Sequence, residues 1–94
     1  MATDLTNTNS YPSLVSISVG TAWETITLPI GCSQCDVYAA VELKFDYAAT
    51  PTIEAPIDAA TWFTVYHSNR NIQSEDKTFS LKAASSTTVY LRML

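Results

Sequence analysis

Apolar and polar residues alternate through most of the chain from residue 14 onward, and this period of two is the mark of half-buried strands. In residues 14–19, Val15, Ile17 and Val19 fall on one face and Ser16 and Ser18 on the other. Residues 23–30 place Ile26, Leu28 and Ile30 opposite Trp23, Thr25 and Thr27. Pro29 cannot donate to a ladder, so this strand ends there or lies at an edge. The longest regular run is 37–47, where Val37, Ala39, Val41, Leu43, Phe45 and Tyr47 alternate with Tyr38, Ala40, Glu42, Lys44 and Asp46. A helix is the competing reading, because Ala, Glu, Leu and Lys favour helices. It would scatter Glu42, Lys44 and Asp46 around more than half its circumference, so the pattern predicts one strand.

Residues 48–61 hold two prolines and no clear period. They read as a long connection with a short edge strand near 52–54 or a single helical turn near 57–60. Residues 62–67 are dense in aromatic and β-branched side chains and predict a further strand, followed by turn residues at 68–71. Ile72 to Ser74 could pair briefly, and Glu75, Asp76 and Lys77 make a charged bend. Two strands close the chain: 78–83, with Phe79, Leu81 and Ala83 on one face, and 87–94, with Val89, Leu91 and Met93 inward.

Strands bounded by turns at intervals of about ten residues predict an all-β domain, a single β-sandwich or jelly roll of about seven to eight antiparallel strands spanning residues 14–94. Residues 1–13 are polar, with Leu5 the single leucine, and read as an N-terminal arm. Tight hairpins favour glycine, and the chain has only Gly20 and Gly31. Most connections are therefore expected to be longer and to cross between sheets.

Composition narrows the function classes. At 94 residues there is room for one core, and 13 threonines with 6 valines and 6 isoleucines agree with strands. Five basic against nine acidic side chains, a net charge of -4, argue against a protein that sits on phosphate backbones. No run approaches the length of a membrane helix, and the polar, acidic start lacks the basic and apolar regions of a secretory signal, so a cytosolic product is expected. Cys32 and Cys35 have a CxxC spacing, but not at the start of a helix in a βαβ unit, where a helix dipole would activate a thiol. A zinc site would find only His67 as a further strong donor, so the pair reads as two small apolar residues, free in a reducing cytosol.

His67 has no nucleophile motif beside it and reads as a turn-flanking surface residue. Glu24, Glu42, Asp46 and Glu54 could in principle supply an acid and base, but Glu42, Lys44 and Asp46 read as a mixed solvated face. Glycine-rich phosphate loops are absent. The expectation is a chain with no catalytic residues, no cofactor and no metal.

The aromatics are more informative. Trp23, Tyr38, Trp62, Tyr66 and Tyr90 all lie opposite the aliphatic series of their own strands, and Leu14 and Leu94 join them. Each sheet of a sandwich has one core face, so a second aromatic face predicts a subunit contact or a carbohydrate platform. The alternative is that inside and outside are exchanged in one or two strands by a one-residue slip.

The stretch from Gly20 to Pro29, and the run from Lys77 to Ala83 followed by Thr87 to Arg92, resemble small β-sandwich virion proteins of tailed bacteriophages. In those proteins a strand ending in Leu-Pro and a polar turn precede a long central strand, and a Phe-x-Leu-x-Ala strand leads by a short turn into a terminal strand. The likeness covers roughly residues 14–94. It implies a non-enzymatic structural protein of the virion, made in the host cytoplasm, that decorates and stabilises the assembled head. The implied partners are a major capsid protein or other virion proteins, with self-association as a homotrimer or another symmetric oligomer and residues 1–13 reaching onto a neighbour. A carbohydrate- or receptor-binding module of a fibre, neck or tail is the rival reading. Neither nucleic acid nor membrane is an expected partner.

Overall fold

The structure is a computed structural model, which describes residues 2–6, 13–29, 32–48, 50–67 and 77–94; of Tyr66, His67 and Lys77 only the backbone is described. Nine strands are present among them: β1 (Ala2–Asp4), β2 (Ser13–Val19), β3 (Glu24–Leu28), β4 (Gln34–Ala39), β5 (Leu43–Asp46), β6 (Ala55–Ile57), β7 (Phe63–His67), β8 (Lys77–Ala83) and β9 (Thr87–Met93). They form two sheets packed face to face. One has the order β1-β3-β8-β5-β6 and the other β2-β9-β4-β7. The all-β sandwich is as expected, without a helix among the described residues.

The inward series is the one the alternation marks. Ile26, Leu28, Leu43, Ile57, Phe79 and Leu81 from the five-stranded sheet meet Val19, Val37, Val65, Val89, Leu91 and Met93 from the other, all fully buried. Each such side chain contributes about 1.5–3 kcal/mol by leaving water, and together they fix the register. Of the eight links between successive strands, only β5 to β6 stays within one sheet. The shortage of glycine thus appears in the topology as sheet-crossing connections.

Three expectations are corrected. The run 37–47 is two strands in different sheets, β4 and β5, joined by a crossing at residues 40–42. Ala39 and Leu43 both point inward, so the crossing preserves the period of two and leaves no break in the pattern, while Val41, expected inside, is exposed. The edge strand of the 48–61 connection is Ala55–Ile57, later than expected, and carries Pro56, which an edge position tolerates. The helical turn near 57–60 is instead a turn with Ala60 in the left-handed region (φ 55°), its N–H donating to the Ala39 carbonyl at 2.8 Å.

The start of the chain also differs from a free arm. β1 pairs in parallel with β3, with Thr3 beside Ile26, and the Leu5 N–H donates to the Thr27 carbonyl at 2.9 Å. Leu5 packs, partly buried, on the core. The Thr3 hydroxyl donates to the carboxylate of Glu24, which is turned inward and buried. The remainder of the expected arm, residues 7–12, lies outside the described residues, as do the turn at 68–71 and the pairing and bend expected at 72–76.

Candidate functional site

The outward positions of the four-stranded sheet form rows set by its registers. Ser16 of β2 lies opposite Tyr90 of β9, which lies opposite Tyr38 of β4. In the next row Leu14, Arg92, Asp36 and Thr64 follow one another across all four strands. Trp62 stands one residue before β7 and completes the aromatic row. Its ring is 5.2 Å from that of Tyr38, and the Tyr38 and Tyr90 rings are 6.4 Å apart, both pairs tilted. These are the distances at which aromatic pairs attract.

In the row beside the rings lies a charge. Asp36 occupies an outward position yet is only 2% exposed. Arg92 donates to one carboxylate oxygen through Nε at 3.1 Å and through a terminal nitrogen at 2.9 Å. The Thr64 hydroxyl donates to the other at 2.7 Å, and the Gln34 side-chain amide reaches both at 3.0 Å. Burial pushes the Asp36 carboxyl up, but the hydrogen bonds from Thr64, Arg92 and Gln34 together with the guanidinium charge outweigh it and hold it below its ordinary value. Arg92 also lies over Trp62, its guanidinium carbon 4.3 Å from the ring centroid. One arginine therefore neutralises the buried carboxylate and braces the tryptophan. A β-bulge opposite the step from Cys35 to Asp36, with Val65 as the extra residue, lets Val65 point into the core while Thr64 faces Asp36.

Two of the three rings stay exposed beside this network, while Tyr38 is half-buried. Tyr90 is 42% exposed, Trp62 40% and Leu14, diagonal to Tyr90 in the register, 63%. Leu94 is exposed at the end of the same sheet, its backbone tied to Ser33 and Gln34. Of the five aromatics expected on a second face, Tyr38, Trp62 and Tyr90 come together here. Trp23 does not join them: it lies at the start of β3, on the other sheet, beneath the Lys82 ammonium at 4.8 Å. The side chain of Tyr66 lies outside the described residues.

The acidic residues disperse. Glu42 pairs with Lys44 at 3.4 Å and Glu54 with Lys82 at 2.8 Å. Asp46 accepts the backbone N–H groups of Thr52 (2.9 Å), Ile53 (3.0 Å) and Ala48 (3.2 Å), and so folds the following loop back on itself. Cys32 and Cys35 are buried thiols not joined in a disulfide, and Cys32 donates to the Gln34 carbonyl at 3.2 Å. Burial, reinforced by Cys32 and Asp36 nearby, pushes the Cys35 thiol up to about 12, far from the reactive thiolate form. The side chain of His67 is not among those described.

Sequence reasoning missed Asp36 and Arg92. Their common signal is an ionisable residue in outward phase on a strand, and it gains meaning only once β4 and β9 are known to be neighbours. Compared with known proteins, the chain matches no family model, no curated protein and no solved structure.

Proposed function

We propose that this chain is a non-enzymatic structural protein of a tailed-phage virion, made in the host cytoplasm, that decorates the assembled head through the outer face of its four-stranded sheet. The observation that carries the docking face is the row Tyr90, Tyr38 and Trp62, in which Tyr90 and Trp62 stay exposed beside a polar network whose groups are already satisfied. A ring set of this kind gains by being covered, and aromatic residues with arginine dominate protein interfaces. The likeness of residues 14–94 to small β-sandwich virion proteins supplies the partner class, a major capsid protein or a neighbouring virion protein. The action is mass action: a ligand that binds only the assembled shell lowers its free energy, by about 2.7 kcal/mol at a free concentration of 100 Kd.

The rival reading is a carbohydrate- or receptor-binding module of a fibre, neck or tail, in which Trp and Tyr stack on sugar rings. Stacking needs an open ring face, and Arg92 occupies one face of Trp62 while Tyr38 leans against the ring. With the exposed Leu14 beside Tyr90, this favours a protein surface over a sugar. The test is heat or low-salt challenge of capsids with and without the purified protein, alongside a tryptophan fluorescence titration with glycans. Stabilised capsids and glycan-independent fluorescence are expected. Equal capsid survival with no binding, or saturable quenching by a sugar, overturns the reading.

A further inference from the structure

A sheet has two edges, and a sandwich therefore has four. An edge strand presents unpaired N–H and C=O groups, so folded proteins blunt it with short length, charge, proline or a bulge. Among the described residues, three of the four edges are blunted. β1 has three residues and ends on Asp4, whose carboxylate is held by the Thr6 N–H at 2.9 Å and hydroxyl at 2.5 Å. β6 has three residues and carries Pro56. β7 is interrupted by the bulge at Val65.

β2 has none of these devices. Its seven residues, SLVSISV, contain no charge and no proline, and they pair with β9 along their whole length without a bulge. No other described strand lies along its free side. Its inward side chains Val15 and Ile17 reach only partial burial against the core, although both are β-branched, and Leu14 is among the most exposed apolar residues described. The core is thus unfinished along this edge, where one more strand would complete it.

We propose that β2 is a β-augmentation edge whose occupant is the β2 strand of a second copy, joined antiparallel about a two-fold axis normal to the sheet. The strand is self-complementary for this. A pairing centred on Ser16 sets Val15 beside Ile17 of the second copy on the core face and Leu14 beside Ser18 of the second copy on the outer face. It places no like charges in contact, because the strand has none. Such a two-fold keeps the same face of both sheets outward, so two four-stranded sheets become one of eight, with β2 strands about 4.8 Å apart. The two aromatic faces then lie side by side on one continuous surface. This pairing stands independently of the capsid partner proposed above, since it uses the edge of the sheet and not its outer face.

The test is the solution mass of the full chain at micromolar concentration, with two outward-facing variants. A mass of twice 10.3 kDa is expected for the native chain. Ser16→Lys sets two ammonium groups opposite each other at the two-fold and is expected to return the mass to 10.3 kDa with an unchanged β circular-dichroism spectrum. Ser16→Cys is expected to give a reducible covalent dimer on mild oxidation, whereas Thr88→Cys, one strand further in, is not; the native thiols are buried and give little background. The cross-linking arm stands even where Ser16→Lys disturbs folding. A monomeric native chain, a trimer, a dimer that survives Ser16→Lys, or equal cross-linking from Thr88→Cys overturns the proposal.

Discussion

The two outer faces of the sandwich start from the same alternation and end in opposite conditions. On the five-stranded sheet the outward residues close on one another. Thr25 and Ser80 hydroxyls lie 3.2 Å apart, Ser80 donates to the Ala48 carbonyl at 2.9 Å and is fully buried, and Lys82 joins Glu54 to the ring of Trp23. The loop gathered by Asp46 is tied to this face through the Ala48 carbonyl, and its Ile53 stays exposed. On the four-stranded sheet the polar groups also close, but in the row beside the aromatics: Asp36, Arg92, Thr64 and Gln34 satisfy one another and leave Tyr90, Trp62 and Leu14 accessible. The difference shows that outward phase alone does not leave an aromatic row exposed. What matters is whether the polar partners use up the apolar groups or support them.

The largest expected effect falls on that support. Asp36→Ala removes an acceptor of five hydrogen bonds, two of them from Arg92 and two from Gln34, and leaves Thr64 and Gln34 without it. A loss of about 2–3 kcal/mol in urea unfolding is expected. A loss as small as that of Asp46→Ala, whose carboxylate serves only an exposed loop, would put the two faces on an equal footing.

Acid should act in the same direction. Asp36 is held below its ordinary value by the balance described, Asp46 by the N–H groups of Thr52, Ile53 and Ala48, and Glu54 by Lys82. With folded values depressed, the unfolded chain binds more protons in the window between folded and ordinary values, so stability rises with pH there. It is fully present above the ordinary values of 3.8 for aspartate and 4.5 for glutamate and is lost as pH falls through the lower folded values. Thermal midpoints measured from neutral pH downward should fall in that window, and Asp36→Asn should flatten the fall. An unchanged profile in Asp36→Asn would remove Asp36 from the account.

A smaller effect is expected at Ala60, which precedes Trp62 and holds a left-handed backbone that costs an alanine about 1–2 kcal/mol. Ala60→Gly relieves that strain against the greater freedom of glycine in the unfolded chain, for a net gain of about 0.5 kcal/mol. Glu54→Gln on the other sheet breaks an exposed ion pair and should shift the thermal midpoint least of all, because solvent screens it.

Much of this fold is legible along the chain, and the losses have physical causes. Alternation places Val15, Ile26, Val37, Phe79 and Leu91 inward as found, because a period of two records which face is dry. It does not record which sheet a strand joins. β4 and β5 read as one strand since three residues carry the chain across without changing phase, and Ala2–Asp4 reads as an arm since its ladder bonds to β3 are backbone bonds that leave no side-chain pattern. The same limit governs the site. Tyr38, Trp62 and Tyr90 could be placed on outer faces, but their meeting, the separation of Trp23 and the Asp36 to Arg92 contact depend on strand order.

The docking surface proposed for this protein is the outer face of the four-stranded sheet and not that of its partner. It is tested most directly by titrating particles that lack this protein with native chain, Trp62→Ala and Trp23→Ala, all shown folded beforehand. The account predicts saturable binding of the native chain, affinity weakened about 30-fold by Trp62→Ala, corresponding to a hot spot of about 2 kcal/mol, and no change in Trp23→Ala. Equal losses in the two variants, or a loss confined to Trp23→Ala, would contradict it.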